Sequence, residues 1–538
     1  MIGNRLRTIT GENAGLIQSL SRLLYYFFGT SKWKKAYHKL GALFIPAKNY
    51  RELLKMENAE FSDEEIRQKT EAFSASPSFA VVIIGDDTDA ALQTFAAIQK
   101  QLYNRFAVYA SDKQVASDLH IDRVSQGSAL QDHKFVLMLN AGDLPDRKCL
   151  FLMADAYNRS REACVMYTDE DREKQNGERC EPLFKPGWSP DLFAEKNYIR
   201  HAALRSSWMD AIVFDQSAET ILENLLTARS LKRCEIINVN RVLISVSGEK
   251  ESTVDQKPTS QKVFSGSEKI SIVIPTKNKT DLVRQCITSI KERSTYHNYE
   301  IILVDNRSDE DDFFAYVQEL GTDKKVDFTC VKADMEFNFS LLVNLGVSIA
   351  KGDYILLLNN DVEVITPEWM ELLLEKASDE HVGAVGVKLL YPDKTIQHAG
   401  IVLSPEKVSE HVFVGKQATE KVYDNALNTT RNYLAVTAAC IMIHKDKYNK
   451  VGGFDEQFRV EYNDIDFCLK LYDAGYYNVY LPHVQLFHYE SASRRHPHSD
   501  PESYARHLSE KQMMEKKWGQ YIMKDPFFIF NRINPKVL

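Results

Sequence analysis

The chain has no C-x-x-C pair, although it holds eight cysteines: Cys149, Cys164, Cys180, Cys234, Cys286, Cys330, Cys440 and Cys468. Several sit inside apolar runs, which suits buried thiols in a reducing cytosol better than a disulfide framework. No stretch approaches the roughly 18 uninterrupted apolar residues of a membrane span. Met1 to Asn13 is too polar for a signal peptide, and no cleavage pattern follows. A basic excess is also missing. The net charge is −8 and the pI is near 6.0, which argues against a nucleic-acid partner. Neither G-x-G-x-x-G nor G-x-x-x-x-G-K-[ST] occurs, so dinucleotide and P-loop sites lose their main support.

What is present is ordinary soluble α/β material. At 538 residues, 44% hydrophobic and 26% charged, the chain is too long for one core, and two or three domains are expected. Residues 1–75 read as a helical segment. Within it, residues 1–50 carry eight Lys/Arg against one acid, Glu12, with Leu16, Leu20, Leu23, Leu24 and Phe27 at near-helical spacing. That pattern fits a helix on an anionic membrane surface or one packed on its own domain. Ser62-Asp63-Glu64-Glu65 reads as a helix start. A first α/β unit spans 76–248, a polar Ser/Lys/Gly-rich linker 249–268, a second α/β unit 269–495 and a helical tail 496–538. The tail from Asp500 reads as a helix with Tyr504, Leu508, Met513, Met514 and Trp518.

The two units look like diverged copies. Phe79–Gly85 parallels Ile270–Thr276, the run from Asn104 parallels that from Asn298, and Phe135–Asn140 parallels Tyr354–Asn359. In this register Asp305 meets Ser111 and Asp361 meets Gly142, so the first copy keeps the strands and loses the acids.

In the second unit three apolar strands end on polar residues: Ile270 to Pro275-Thr276, Ile301 to Asp305-Asn306, and Tyr354 to Asn359-Asn360-Asp361. The strand–helix–strand run from Ser271 to Val304 predicts a right-handed crossover, hence parallel strands. Their polar ends then converge on one crevice, where open α/β sheets bind ligands. Asp305 is placed to accept hydrogen bonds from a base or ribose. Asp361 beside amides suits a hard divalent cation completed by phosphate and water, although Asn-Asn-Asp is also good turn sequence. Asp464 and Asp466 open an amphipathic helix, whose dipole favours the charged carboxylate. They are read either as plain helix-start acids or as a base. His488 and Arg494 share one loop, offering a metal ligand and a diphosphate clamp.

Lys269–Arg494 resembles the family 2 glycosyltransferases of the GT-A fold, especially bacterial enzymes of O-antigen and surface-polysaccharide synthesis. The resemblance is carried by Ile274-Pro275-Thr276-Lys277-Asn278, Val304-Asp305-Asn306, Phe337-Asn338-Phe339-Ser340, Gly352 to Asp361, Gln397-His398-Ala399-Gly400, Gly452–Glu456, Asn463–Asp466 and His488–Arg494. It implies an α/β chain of two GT-A-like domains with mixed, mainly parallel sheets after a helical N-terminal segment. It further implies nucleotide-sugar contacts at Pro275, Thr276, Asn278, Asp305, Asn338, Asn344, Asn360, Asp361 and Arg494, and Mg2+ or Mn2+ at Asp361 and His488. Asp464 matches the catalytic base. Asn359 and Asn463 stand where the family usually has an acid, so the metal rests on fewer carboxylates. The implied partners are a UDP- or dTDP-linked sugar and a polyprenyl-linked glycan acceptor at the cytoplasmic face of the membrane. The first unit resembles a decayed copy, through Tyr167–Asp171 and Phe184–Asp191, without the acid pair or the late histidine. The rival expectation is a non-catalytic scaffold of GT-A-like domains that binds glycan or partner enzymes.

Overall fold

The computed structural model describes residues 50–174, 176–246, 266–489 and 500–528. The basic segment before Tyr50, most of the linker, Arg494 and the residues after Phe528 lie outside these. The described residues form two compact units: 50–188 with 196–246, and 189–195 with 266–528. Ser189–Glu195, read from sequence as part of the first domain, groups with the second unit.

In the first unit, β1 Phe79–Ile84, β2 Phe106–Ala110, β3 Asp122–Arg123, β4 Phe135–Asn140, β5 Leu144–Pro145, β6 Val165–Glu173, β7 Arg179–Leu183, β8 Ala202–Arg205 and β9 Ile236–Val246 make one sheet. Its order is β3-β2-β1-β4-β8-β6-β9-β5, with β7 on β6. The second unit holds β10 Ile270–Thr276, β11 Tyr299–Asp305, β12 Asp327–Lys332, β13 Tyr354–Leu358, β14 Val362–Val364, β15 Val382–Leu390 and β16 Ile396–His398. Then follow β17 Ile401–Ser404, β18 Val408–His411, β19 Arg431–Tyr433, β20 Cys440–His444 and β21 Tyr477–His488. Its main sheet runs β12-β11-β10-β13-β20-β15-β21-β14, and β17 with β18 forms a separate hairpin.

Position by position, the two sheets have the same order and the same strand directions. Four parallel strands come first, then an antiparallel step on each side of β8 or β20, then a parallel and a final antiparallel pair. The duplication read from the sequence is therefore a duplication of topology. One detail of the register differs. Phe79 lies opposite Phe106 while Ile270 lies opposite Tyr299, which brings Asp305 level with Asp112, not Ser111. The first copy thus retains an acid there, but Asp112 caps a helix by accepting from the N–H groups of Gln114 and Val115. Asp361 does fall at the position of Gly142, since Phe135 and Tyr354 hold equivalent places.

Strands β10, β11 and β13 are almost wholly buried, as expected for apolar runs covered on both faces. The Thr280–Arg293 helix buries Val283, Cys286, Ile287 and Ile290 against them, and each such side chain contributes about 1.5–3 kcal/mol. Helix Phe339–Ile349 packs on β10 and β11 from Gly346, where a Cβ would stand 2.3 Å from Val273 Cγ1. Ser62 caps the Asp63–Glu71 helix in a reciprocal capping box with Glu65, as its sequence predicts. All eight cysteines are free thiols. No helix among the described residues is long and apolar enough to cross a membrane.

Candidate active site

The parallel strands deliver their polar ends to one edge. Thr276 pairs with Asp305 in register, and Asn306 donates its N–H to the Thr276 carbonyl at 2.8 Å. Asn360 Nδ2 donates to Thr276 Oγ1 at 2.8 Å, and Asp305 Oδ1 accepts from Ser308 N–H at 2.9 Å. Thr276, Asp305 and Asn360 therefore form one polar group, with Pro275 opposite Val304 beside it.

Asp361 follows directly. The antiparallel pairing of β14 with β21 sets Val362 against His488, so Asp361 Oδ1 comes within 3.2 Å of His488 Nε2. The tautomer follows from the neighbours. His488 Nδ1 donates to Gln397 Oε1 at 2.5 Å, and Gln397 Nε2 donates back to the His488 carbonyl at 3.3 Å. Asn359 Nδ2 donates to Nε2 at 3.1 Å. Nε2 thus accepts from the Asn359 amide and stands 3.2 Å from Asp361 Oδ1, a buried oxygen with no hydrogen-bond partner. A cation bound to Oδ1 would take the Nε2 lone pair in place of the Asn359 amide. Adjacent ligands about 2.1 Å from an octahedral ion stand about 3 Å apart, so the pair fits Mg2+ or Mn2+. Among the described residues no third His, Cys, Asp or Glu joins them.

Asp464 sits in the first turn of helix Asn463–Asp473, after Tyr462 in a left-handed conformation (φ 60°). Its Oδ2 accepts the Ala438 N–H at 3.2 Å, while the next residue, Ala439, accepts the Asn359 N–H at 3.0 Å. The adjacent residues Ala438 and Ala439 thus link Asp464 to Asn359, two residues before Asp361. His398 lies next to this segment, taking the Thr437 N–H on Nε2 at 3.4 Å and contacting His411 Nδ1 at 3.0 Å. Burial, with His411 and His488 nearby, holds His398 well below the ordinary histidine range. Asp466 plays another part, bonding Trp518 Nε1 at 2.7 Å and Lys517 at 2.8 Å.

Three further expected site residues make contacts between loops. Asn278, at φ 53°, exchanges hydrogen bonds with Asp309 at 2.7 and 2.8 Å and pins two loops together. Asn338 caps its helix through Leu341 N–H and donates to the Glu456 carbonyl at 2.9 Å. Asn344 accepts from Tyr448 Oη and Phe454 N–H and donates to Glu456. Both fasten the 452–456 loop, beside a cavity of about 700 Å3. Arg494 is outside the described residues. Sequence reading gave no role to Gln397, which orients His488, although it lies in the Gln397-His398-Ala399-Gly400 motif.

The equivalent edge of the first unit is filled by its own charges. His201 meets Asp143 at 2.8 Å and Glu170 at 3.4 Å, and Lys185 meets Glu170 at 2.7 Å. Burial opposes charge on His201, but Asp143 and Glu170 outweigh it and lift it to about 9. Burial likewise raises Asp169 to about 7.

What this fold and site define is a glycosyltransferase domain. Residues 271–450 match the sequence model of Glycosyl transferase family 2, so the second unit carries a domain of that family. Asp305 and Asp361 lie inside the match, Asp464 and His488 beyond it. The chain is 32% identical over 437 residues to the uncharacterized protein y4gI of Sinorhizobium fredii, covering 73% of this chain and 48% of that one. It is 31% identical over 415 residues to the O-antigen biosynthesis protein RfbC of Myxococcus xanthus, covering 69% and 32%. Over 149 residues it is 24% identical to an N-acetylglucosaminyl-diphospho-decaprenol L-rhamnosyltransferase of Mycobacterium tuberculosis, covering 26% and 48%. The chain thus spans about half or less of these relatives' length. A solved structure of GalNAc-T7 with UDP, GalNAc and Mn2+ is 14% identical with a TM-score of 0.39, covering 47% of this chain and 49% of that one.

Proposed function

We propose that the second unit transfers a sugar, with inversion, from a UDP- or dTDP-linked donor to a hydroxyl of a growing surface glycan on a polyprenyl carrier. The observation that supports this is the pairing of Asp361 Oδ1 with His488 Nε2 at 3.2 Å, next to Asn359, whose N–H meets the Ala439 carbonyl one residue beyond the Ala438 N–H that Asp464 accepts. The names of the Myxococcus and Mycobacterium relatives support the glycan and the carrier.

Thr276, Asp305 and Asn360 line the nucleoside end of the crevice. Asp361 and His488 would hold Mg2+ or Mn2+, and that ion would neutralise charge on the departing diphosphate. Asp464 takes the proton from the acceptor hydroxyl, whose oxygen attacks the anomeric carbon opposite the diphosphate. The Ala438 N–H holds that carboxylate at the start of its helix. In this reading the first unit is catalytically inert. Gly142 stands in place of Asp361, the strand lacks the late histidine, and the buried ion cluster fills the edge. Attachment to the inner face of the membrane through residues 1–50 completes the proposal.

The test is Asp464→Asn, with turnover read as nucleotide release from a panel of UDP- and dTDP-sugars in Mn2+. A positioned base supplies roughly 10²–10⁴-fold, so the variant should lose about that factor while UDP affinity holds. Wild-type turnover would remove Asp464 from the role. A wild-type chain inert on every donor would favour a glycan-binding scaffold.

A further inference from the structure

The Pro501–Met523 helix lies far along the chain from Asp464 and beyond the family-matched residues. Its buried face carries Glu510, Met514, Trp518 and Ile522. Tyr504 and Leu508 are exposed. The polar member of that face is Glu510, only 2% exposed. Its Oε1 accepts the backbone N–H groups of Arg459 at 3.1 Å and Val460 at 3.3 Å, and its Oε2 accepts that of Glu461 at 2.6 Å. Three successive N–H groups pointing at one anion form a nest, here satisfied from within the protein. Burial raises the Glu510 carboxyl above its ordinary range despite the three donors.

The gripped peptides run straight into Tyr462, Asn463 and Asp464. Tyr462 has a positive φ of 60°, a conformation that persists in a non-glycine residue only where surrounding contacts hold it. The same helix also holds the turn from its other side, through Trp518 and Lys517 on Asp466, while His507 meets Glu461 at 2.5 Å. Asp464 is thus suspended between two points fixed to one helix. Without Glu510, three buried or half-buried donors would seek other partners, and the start of the Asn463–Asp473 helix would move with them.

We infer that Glu510 is a positioning residue for Asp464, setting the orientation of its carboxylate without touching the reacting groups. The inference rests on the reading of Asp464 as the base. Its test compares Glu510→Gln and Glu510→Ala with Ile522→Ala, which removes packing from the same helix but leaves the 459–464 turn alone. Turnover is measured as nucleotide release from the UDP- or dTDP-sugar that the wild-type chain consumes, affinity as UDP binding in Mn2+, and stability as Tm. Misplacement of a reacting group by about 1 Å costs ~10²-fold, so Glu510→Ala should lose kcat by about that factor with UDP affinity unchanged. Glu510→Gln keeps the acceptor for Arg459 and Val460 but turns an NH2 on the Glu461 N–H, and should fall between. Ile522→Ala should lower Tm and keep kcat. Wild-type kcat in both Glu510 variants overturns the inference, as does an equal kcat loss in Ile522→Ala. If Glu510→Ala fails to fold, Glu510→Gln decides. An active Asp464→Asn would strike the base reading itself, whereas an inactive Asp464→Asn beside fully active Glu510 variants sinks Glu510 alone.

Discussion

Replacing Gln397 by leucine tests the cation reading at one atom. In the native arrangement Gln397 Oε1 takes the proton of His488 Nδ1 at 2.5 Å, and both side chains are buried, at 5% and 7% exposure. Leucine removes the acceptor and leaves a buried N–H unpaired, a cost of about 1–3 kcal/mol. The imidazole relieves that cost by carrying its proton on Nε2, where Asp361 Oδ1 waits at 3.2 Å. The pair then closes on itself, and the lone pair meant for a cation is lost. Outer-shell changes of this kind weaken metal binding by roughly 10–100-fold, or about 1.4–2.7 kcal/mol, which matches the desolvation figure. Mn2+ titration followed by electron paramagnetic resonance, with UDP present, should show that loss in Gln397→Leu. Gln397→Glu, which keeps an acceptor at the same atom, should lose less. Native Mn2+ affinity in Gln397→Leu would refute the assignment of His488 as a ligand whose tautomer Gln397 sets.

Gly346→Ala drives a methyl to 2.3 Å from Val273 Cγ1 and 3.0 Å from Val304 Cγ2; overpacking of this kind costs about 1–3 kcal/mol, and denaturant unfolding should register it. His201 has its pKa raised in the folded state to about 9 from an unfolded value near 6.5. The stability it contributes is fully present below about 6.5 and disappears as pH rises through about 9. The Tm difference between wild type and His201→Gln should therefore shrink across that interval, and a constant difference would contradict it. Deleting residues 1–50 should release the chain from anionic vesicles and spare nucleotide release; vesicle binding that survives the deletion would end the membrane assignment.

Much of the fold was legible because buried parallel strands are locally encoded. Ile270–Thr276, Tyr299–Asp305 and Tyr354–Leu358 are continuous apolar runs, and each has its turn residues at the end that forms the crevice. The duplicate unit was visible for the same reason. The Asp112 register was not, since a one-residue shift between similar apolar strands leaves no trace in composition. The tail helix was legible, but the buried Glu510 on its packed face, beside Met514 and Trp518, was not. Of the site residues, Thr276, Asp305, Asn360 and Asp361 announced themselves as polar strand ends. Asn278, Asn338 and Asn344 carried the same kind of signal, and their amides fasten loops.

By itself, then, the amino-acid order determined where apolar strands and amphipathic helices lie and which polar residues terminate them, because those features depend on neighbours within a turn or two. Only the tertiary structure decided which of those residues meet. His488 reaches Asp361 through the register of β14 with β21. Asp464 joins them through the peptides of Ala438 and Ala439, and Glu510 reaches the same turn from the Pro501–Met523 helix. Contacts between segments so far apart in the chain are set by sheet order and packing, for which no short stretch of sequence carries a signature.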